Sequence, residues 1–191
     1  MQFNKVISKT TPLSYSKIVA IILFYFLCIN KSLSQIEKQF PVPAGNPNQL
    51  FYLQRSKNIN TVIYELNIIN GKLNSEKPID VFWIMYTKDK KRENLSEMEK
   101  DFVYGVKINP PEKKEYSFTL AAYPKINLQL AKDSTQKYYV YVTPHKHQMK
   151  LTKVYIEEKD SQFKLEPTVE YIEFSGIDLI DGKEVIERIT P

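Results

Sequence analysis

Arg55, Tyr64 and Trp83 are the side chains whose types and spacing come nearest to a binding constellation. Arg55 closes the aromatic segment Leu50–Arg55 (LFYLQR), and Tyr64 and Trp83 lie on the two apolar segments that follow. A guanidinium beside flat rings with polar tips suits a ligand that is partly apolar and partly anionic. The plainer reading is that the rings pack as core and Arg55 pairs with a carboxylate such as Glu65 or Asp80, because an unpaired buried arginine is costly.

Other chemistries find less support. The two histidines are His145 and His147. At i and i+2 on an extended segment they could face one metal. Pro144 puts them in a loop with no Asp, Glu or Cys nearby in sequence, so a solvated turn is the reading and no metal or other cofactor is expected. Glu65 and Asp80, on neighbouring candidate strands, could form a carboxylate pair of the kind glycoside hydrolysis uses, and Glu170 and Glu173 flank apolar positions. Carboxylates on strands more often pair with Arg and Lys, and no catalytic residue is assigned. No G-x-S-x-G, G-x-G-x-x-G or G-x-x-x-x-G-K-[ST] occurs, so nucleophile elbows and phosphate cradles lack a sequence basis.

The amino terminus bears on where the protein works. Lys5, Lys9 and Lys17 precede an apolar run, Ile18–Ile29 (IVAIILFYFLCI), which is followed by Ser32-x-Ser34. A basic start, a short apolar stretch and a small-residue exit form the pattern of a secretory signal peptide. A dozen helical residues rise only ~18 Å against ~30 Å of hydrocarbon, so no transmembrane span is expected in the mature chain. Cleavage is expected between Ser34 and Gln35. The single cysteine, Cys28, lies in the apolar run, preceded by Leu27 rather than by the small residue of a lipidation site. Residues 1–34 hold four lysines and no carboxylate, so the 27 basic residues fall to 23 against 22 acidic ones after cleavage. The sequence pI of 9.0 is therefore mostly a property of the signal and does not argue for nucleic acid.

The elements that must position these residues are mainly strands. Gln35–Gln49 carries Pro41, Pro43, Gly45 and Pro47 and is read as an extended leader anchored by Phe40 and Val42. Residues 50–191 are read as one domain. Thr61–Ile69 alternates with period two, Ile79–Tyr86 is apolar on both faces, and Asn70-Gly71 and Asp181-Gly182 are hairpin signals. Further strands are expected over Tyr104–Ile108, Glu115–Tyr123, Ile126–Ala131, Lys137–Thr143, Lys150–Glu158, Phe163–Phe174 and Lys183–Ile189. One short helix is expected near 95–102, capped by Asn94 with Glu97 completing a capping box. Leu95, Met98 and Phe102 would form its core stripe. This pattern predicts an all-β fold, a mostly antiparallel meandering barrel, with a β-sandwich as the alternative.

The stretches Phe40–Pro43, Asn48–Arg55, Asn58–Asn67, Pro78–Tyr86 and Leu95–Val106 (LSEMEKDFVYGV) are similar to those of the exported bacterial family known as DUF4833. The resemblance implies export and a single domain, and it transfers no functional residue. Together these readings give an exported protein of the bacterial envelope, periplasmic or extracellular, that is a non-enzymatic binder of a small amphipathic ligand or of an envelope protein. An enzyme acting on envelope carbohydrate or lipid through carboxylates and tyrosines, and a structural or assembly module, stand as alternatives.

Overall fold

A computed structural model describes residues 40–109, 116–159 and 168–191. The expected signal peptide and cleavage site, leader residues 35–39, and the strand starts expected at Glu115 and Phe163 lie outside the described residues. The strands are β1 (Gln49–Arg55), β2 (Asn58–Leu66), β3 (Ile68–Ile69), β4 (Lys72–Leu73), β5 (Ile79–Met85), β6 (Lys91–Asn94) and β7 (Val106–Ile108). After these come β8 (Tyr116–Leu120), β9 (Tyr123–Lys132), β10 (Tyr138–Val142), β11 (Met149–Lys159), β12 (Thr168–Asp178) and β13 (Glu184–Ile189). One α-helix, α1 (Glu97–Phe102), lies between β6 and β7.

The fold is all-β and mostly antiparallel, as the period-two pattern predicts, and the sheet curls into a half-barrel. Its connectivity is not a pure meander. β11 is the spine: β12 runs along the whole of one edge, and β13 pairs with β12. The other edge of β11 is shared between β10, which pairs at Met149 and Lys150, and β1, which pairs in parallel from Lys153 to Ile156. From that edge one arm runs β1–β2–β5–β6 and the other β10–β9–β8–β7. The β11–β12 register shifts between Leu151 and Lys153, where the opposite edge changes partner. A bulge bends and twists its strand, which lets one edge serve two diverging arms.

Both faces of the β1–β2–β5 arm are covered. Phe51, Leu53, Val62, Tyr64 and Trp83 pack into the main core with Leu128, Leu130, Val140, Met149, Val154 and Phe174. On the opposite face Gln54, Thr61, Ile63 and Phe82 are also buried. The leader lies over that second face: Gln54 Nε2 donates to the Pro41 carbonyl at 2.8 Å, and Pro43 is buried. Phe40 anchors the leader, its ring 5.7 Å from that of Tyr155. Val42 does not; it is 75% exposed, and Pro43 takes the role expected of it.

The Asn70-Gly71 turn forms with both residues in the left-handed region (φ 51° and 74°), as a type I′ turn requires. It closes only the β3–β4 ribbon, and the following loop brings β5 against β2 with Ile79 opposite Leu66. Within the basic stretch Lys88–Arg92, Lys91 begins β6, which pairs with β5.

The helix departs most from its expected form. Its N-cap is Ser96, not Asn94; the Ser96 hydroxyl accepts from the Glu99 N–H, and the Glu99 carboxylate accepts from the Ser96 N–H. Asn94 is held in β6 opposite Phe82, which moves the cap two residues along. Leu95 is buried, but Met98 and Phe102 are 73% and 70% exposed, so the predicted core stripe does not exist. At six residues the helix is held by its cap and by its ends rather than by an apolar face. Among the described residues no helix is long and apolar enough to cross a membrane.

Candidate functional site

Arg55, Tyr64 and Trp83 come together, and the residue that joins them is Tyr104. Tyr64 is fully buried and donates its hydroxyl to the Tyr104 carbonyl at 2.7 Å. Trp83 meets the Tyr104 ring edge-on at 4.8 Å and 76°. Arg55 Nη1 donates to the Tyr104 hydroxyl at 2.7 Å, and Arg55 Nε donates to Glu158. Phe51 stacks on Tyr64 at 4.2 Å. Trp83 Nε1 donates to Glu99 at 3.2 Å, which ties the helix N-terminus to the arm. Gly105 must be glycine, because a Cβ there would stand 1.9 Å from the Lys100 carbonyl oxygen.

Arg55 does not reach Glu65 or Asp80. The parallel pairing of β1 with β11 sets Arg55 opposite Ile156 and brings Glu158 to it instead. Burial works against the Arg55 charge, but the Tyr104 hydroxyl and Glu158 outweigh it and hold its pKa above the ordinary arginine value. Burial pushes the Tyr64 and Tyr104 hydroxyls upward, so both stay protonated at neutral pH. Among the described residues no buried side-chain polar atom lacks a partner.

The cleft lies on the opposite face of the same arm. Its floor is Ile63, Phe82 and Ile84, with Tyr86 beside them. Pro43, Ala44 and Asn46 of the leader form one wall, and Lys90 and Arg92 the other. Its volume is about 310 Å³, at the small end for ligand pockets. None of Arg55, Tyr64 and Trp83 lines it, because residues one position apart on a strand face opposite sides.

Arg92 organises the cleft wall. Its guanidinium lies 3.4 Å from the Phe82 ring centroid, with Nη1 donating to Glu65 and Nη2 to Asp80, each at 2.8 Å. Glu65 and Asp80 are directly opposed across β2 and β5, so the two carboxylates do stand together, clamped on one arginine. Asp80 also meets Lys77 at 3.4 Å, and Glu65 accepts from the Asn46 amide at 3.1 Å. Asp89 and Lys90 both adopt left-handed φ (51° and 61°) in the tight turn into β6. For lysine that conformation costs on the order of 1 kcal/mol.

The histidines build a latch. The N–H groups of His145, Lys146 and His147 all donate to the buried Glu187 carboxylate at 2.9–3.2 Å. His147 Nδ1 lies 2.5 Å from Asp178 Oδ2. Burial alone would raise Glu187, but those three N–H groups outweigh it and hold the carboxyl below its ordinary range. Among the described residues no group of three or more His, Cys, Asp or Glu side chains is placed to hold a metal ion.

The joining role of Tyr104, the clamp at Arg92 and the leader wall are not legible in the sequence. In the sequence Tyr104 heads an expected strand, and Arg92 ends a basic run, Lys88-Asp89-Lys90-Lys91-Arg92, interrupted by an acid. The one available signal was the alternation around Phe82, which assigns Ile63, Phe82 and Ile84 to a face opposite Tyr64 and Trp83.

Fold and cleft define a β-domain of forked-sheet topology with an amphipathic outer groove. The chain belongs to the family described as Domain of unknown function (DUF4833), whose model matches residues 51–188. No curated protein and no solved structure matches the chain.

Proposed function

We propose that this is a non-enzymatic binding protein of the bacterial envelope, exported on the signal Met1–Ser34, that holds a small amphipathic ligand in the cleft on the outer face of β2 and β5. The supporting observation is the cleft itself: an apolar floor of Ile63, Phe82 and Ile84 beside a wall carrying Lys90 and Arg92. Apolar floors with a few placed polar groups are the usual form of a small-molecule site. Arg55, Tyr64 and Trp83 serve this reading as the rigid packing behind the cleft floor. A carboxylate-based hydrolase is the weaker reading, because Glu65 and Asp80 each hold one oxygen on Arg92 and the other on Asn46 or Lys77. A general acid or base needs a carboxyl free to exchange a proton with substrate.

Native mass spectrometry of the protein purified from its own envelope tests this. A co-purifying small mass that is lost when Ile84 is replaced by Asp supports the cleft. A stoichiometric protein partner with no small mass would favour the assembly reading.

A further inference from the structure

We infer that the cleft selects an amphiphile with a single anionic head, with that head at Lys90 and its apolar body on Phe82 and Ile84; this rests on the cleft being the binding site. The charges around the cleft decide it. Arg92 directs one Nη to Glu65 and the other to Asp80, and Lys77 and Asn46 complete that network. The planar fork that would read a phosphate or carboxylate bidentately is therefore already occupied. Lys88 and Lys91 share Glu93 at 3.1 and 3.8 Å. Lys90 differs from all of these: among the described residues its ammonium has no carboxylate within 4.0 Å, Asp89 beside it included. Lys90 lines the cleft from a left-handed turn residue, so the backbone is bent where this cation is presented.

The cleft thus offers one uncompensated cation next to an apolar floor. A point charge of this kind favours any single anionic head over a neutral one and repels a cationic head. The volume of about 310 Å³ suits one short chain or ring system rather than a two-chain lipid.

The test uses decanoate, decanol and decyltrimethylammonium as probes, titrated against the mature protein by calorimetry. Decanoate is expected to bind about fivefold tighter than decanol, the size of one partly solvated charge pair. Decyltrimethylammonium is expected to bind more weakly than either. Added salt should weaken decanoate and leave decanol unchanged. Lys90→Met should bring decanoate to the level of decanol while the melting temperature is kept. Lys90→Gly, which relieves the left-handed backbone, should do the same and serves if the methionine variant misfolds. Equal affinity for the three probes, or a decanoate preference that survives both variants, would overturn the anionic-head assignment while leaving the cleft as a binding site. Failure of every probe to bind would overturn the cleft reading itself.

Discussion

The guanidinium of Arg92 stacks 3.4 Å from the Phe82 ring centroid, so the charged wall of the cleft is built directly on its apolar floor. The two residues come from adjacent strands, with Arg92 paired opposite Ile84 and Phe82 opposite Asn94. That offset sets the guanidinium over the ring while Glu65 and Asp80 hold its edges. Removing the arginine should therefore open the cleft and release two carboxylates at once.

Arg92→Ala is expected to destabilise the domain by about 1 kcal/mol, since the side chain is half exposed and its ion pairs are screened. Arg92→Lys should recover only part of this, because an ammonium cannot bridge both carboxylates in one plane. Urea unfolding of the two variants checks it. A lysine variant as stable as the parent would show that stacking and the double ion pair contribute little.

Tyr64→Phe should cost about 1–2 kcal/mol by stranding the buried Tyr104 carbonyl. Glu158→Gln should cost more, about 2–3 kcal/mol, because it leaves the Arg55 charge without its carboxylate. If the Tyr104 cluster acts as one unit, the two losses will not add. An additive double variant, measured by thermal or urea unfolding, would mean that the hydroxyl and the ion pair are independent.

Met98→Asp is expected to change stability by less than about 0.5 kcal/mol, since Met98 projects into solvent. Ser96→Ala should cost about 1 kcal/mol through loss of the capping box. A larger effect at Met98 than at Ser96 would reverse the account of what holds the helix.

The latch at Glu187 predicts a pH dependence. Its folded pKa is depressed, so its stabilisation is present above the ordinary glutamate value of 4.5 and is lost as pH falls below it. Asp133, held down to about 2 by Thr135 and Lys150, adds a component that is present above its ordinary value of 3.8 and disappears as pH falls through about 2. Melting temperatures followed from neutral pH downward should fall more gently in Glu187→Gln than in the parent. Parallel profiles would mean that the three N–H groups do not favour the charged carboxylate.

The pattern along the chain was enough to read strands, their alternation and the two turns, because period-two burial is a local property. Trp83 and Tyr64 could be placed on one face for the same reason. What could not be read was set by pairing between distant segments. Arg55 meets Glu158 only because β1 joins β11 in parallel, a crossover no local pattern encodes. The helix stripe failed because Leu95, Met98 and Phe102 satisfy a helical period while β6 holds Asn94 and delays the helix to Glu97. The cleft escaped because its second wall comes from the leader, where prolines exclude regular structure without saying which face they cover.

The most direct measurement is a two-dimensional NMR titration of the protein lacking residues 1–34 with decanoate, following the methyl groups of Ile63 and Ile84 and the ring of Phe82. Saturable shifts are expected at these groups and at Lys90, with Tyr64, Trp83 and Tyr104 unmoved. Shifts confined to the Tyr104 cluster, or none at the cleft at saturating ligand, would contradict binding in the cleft.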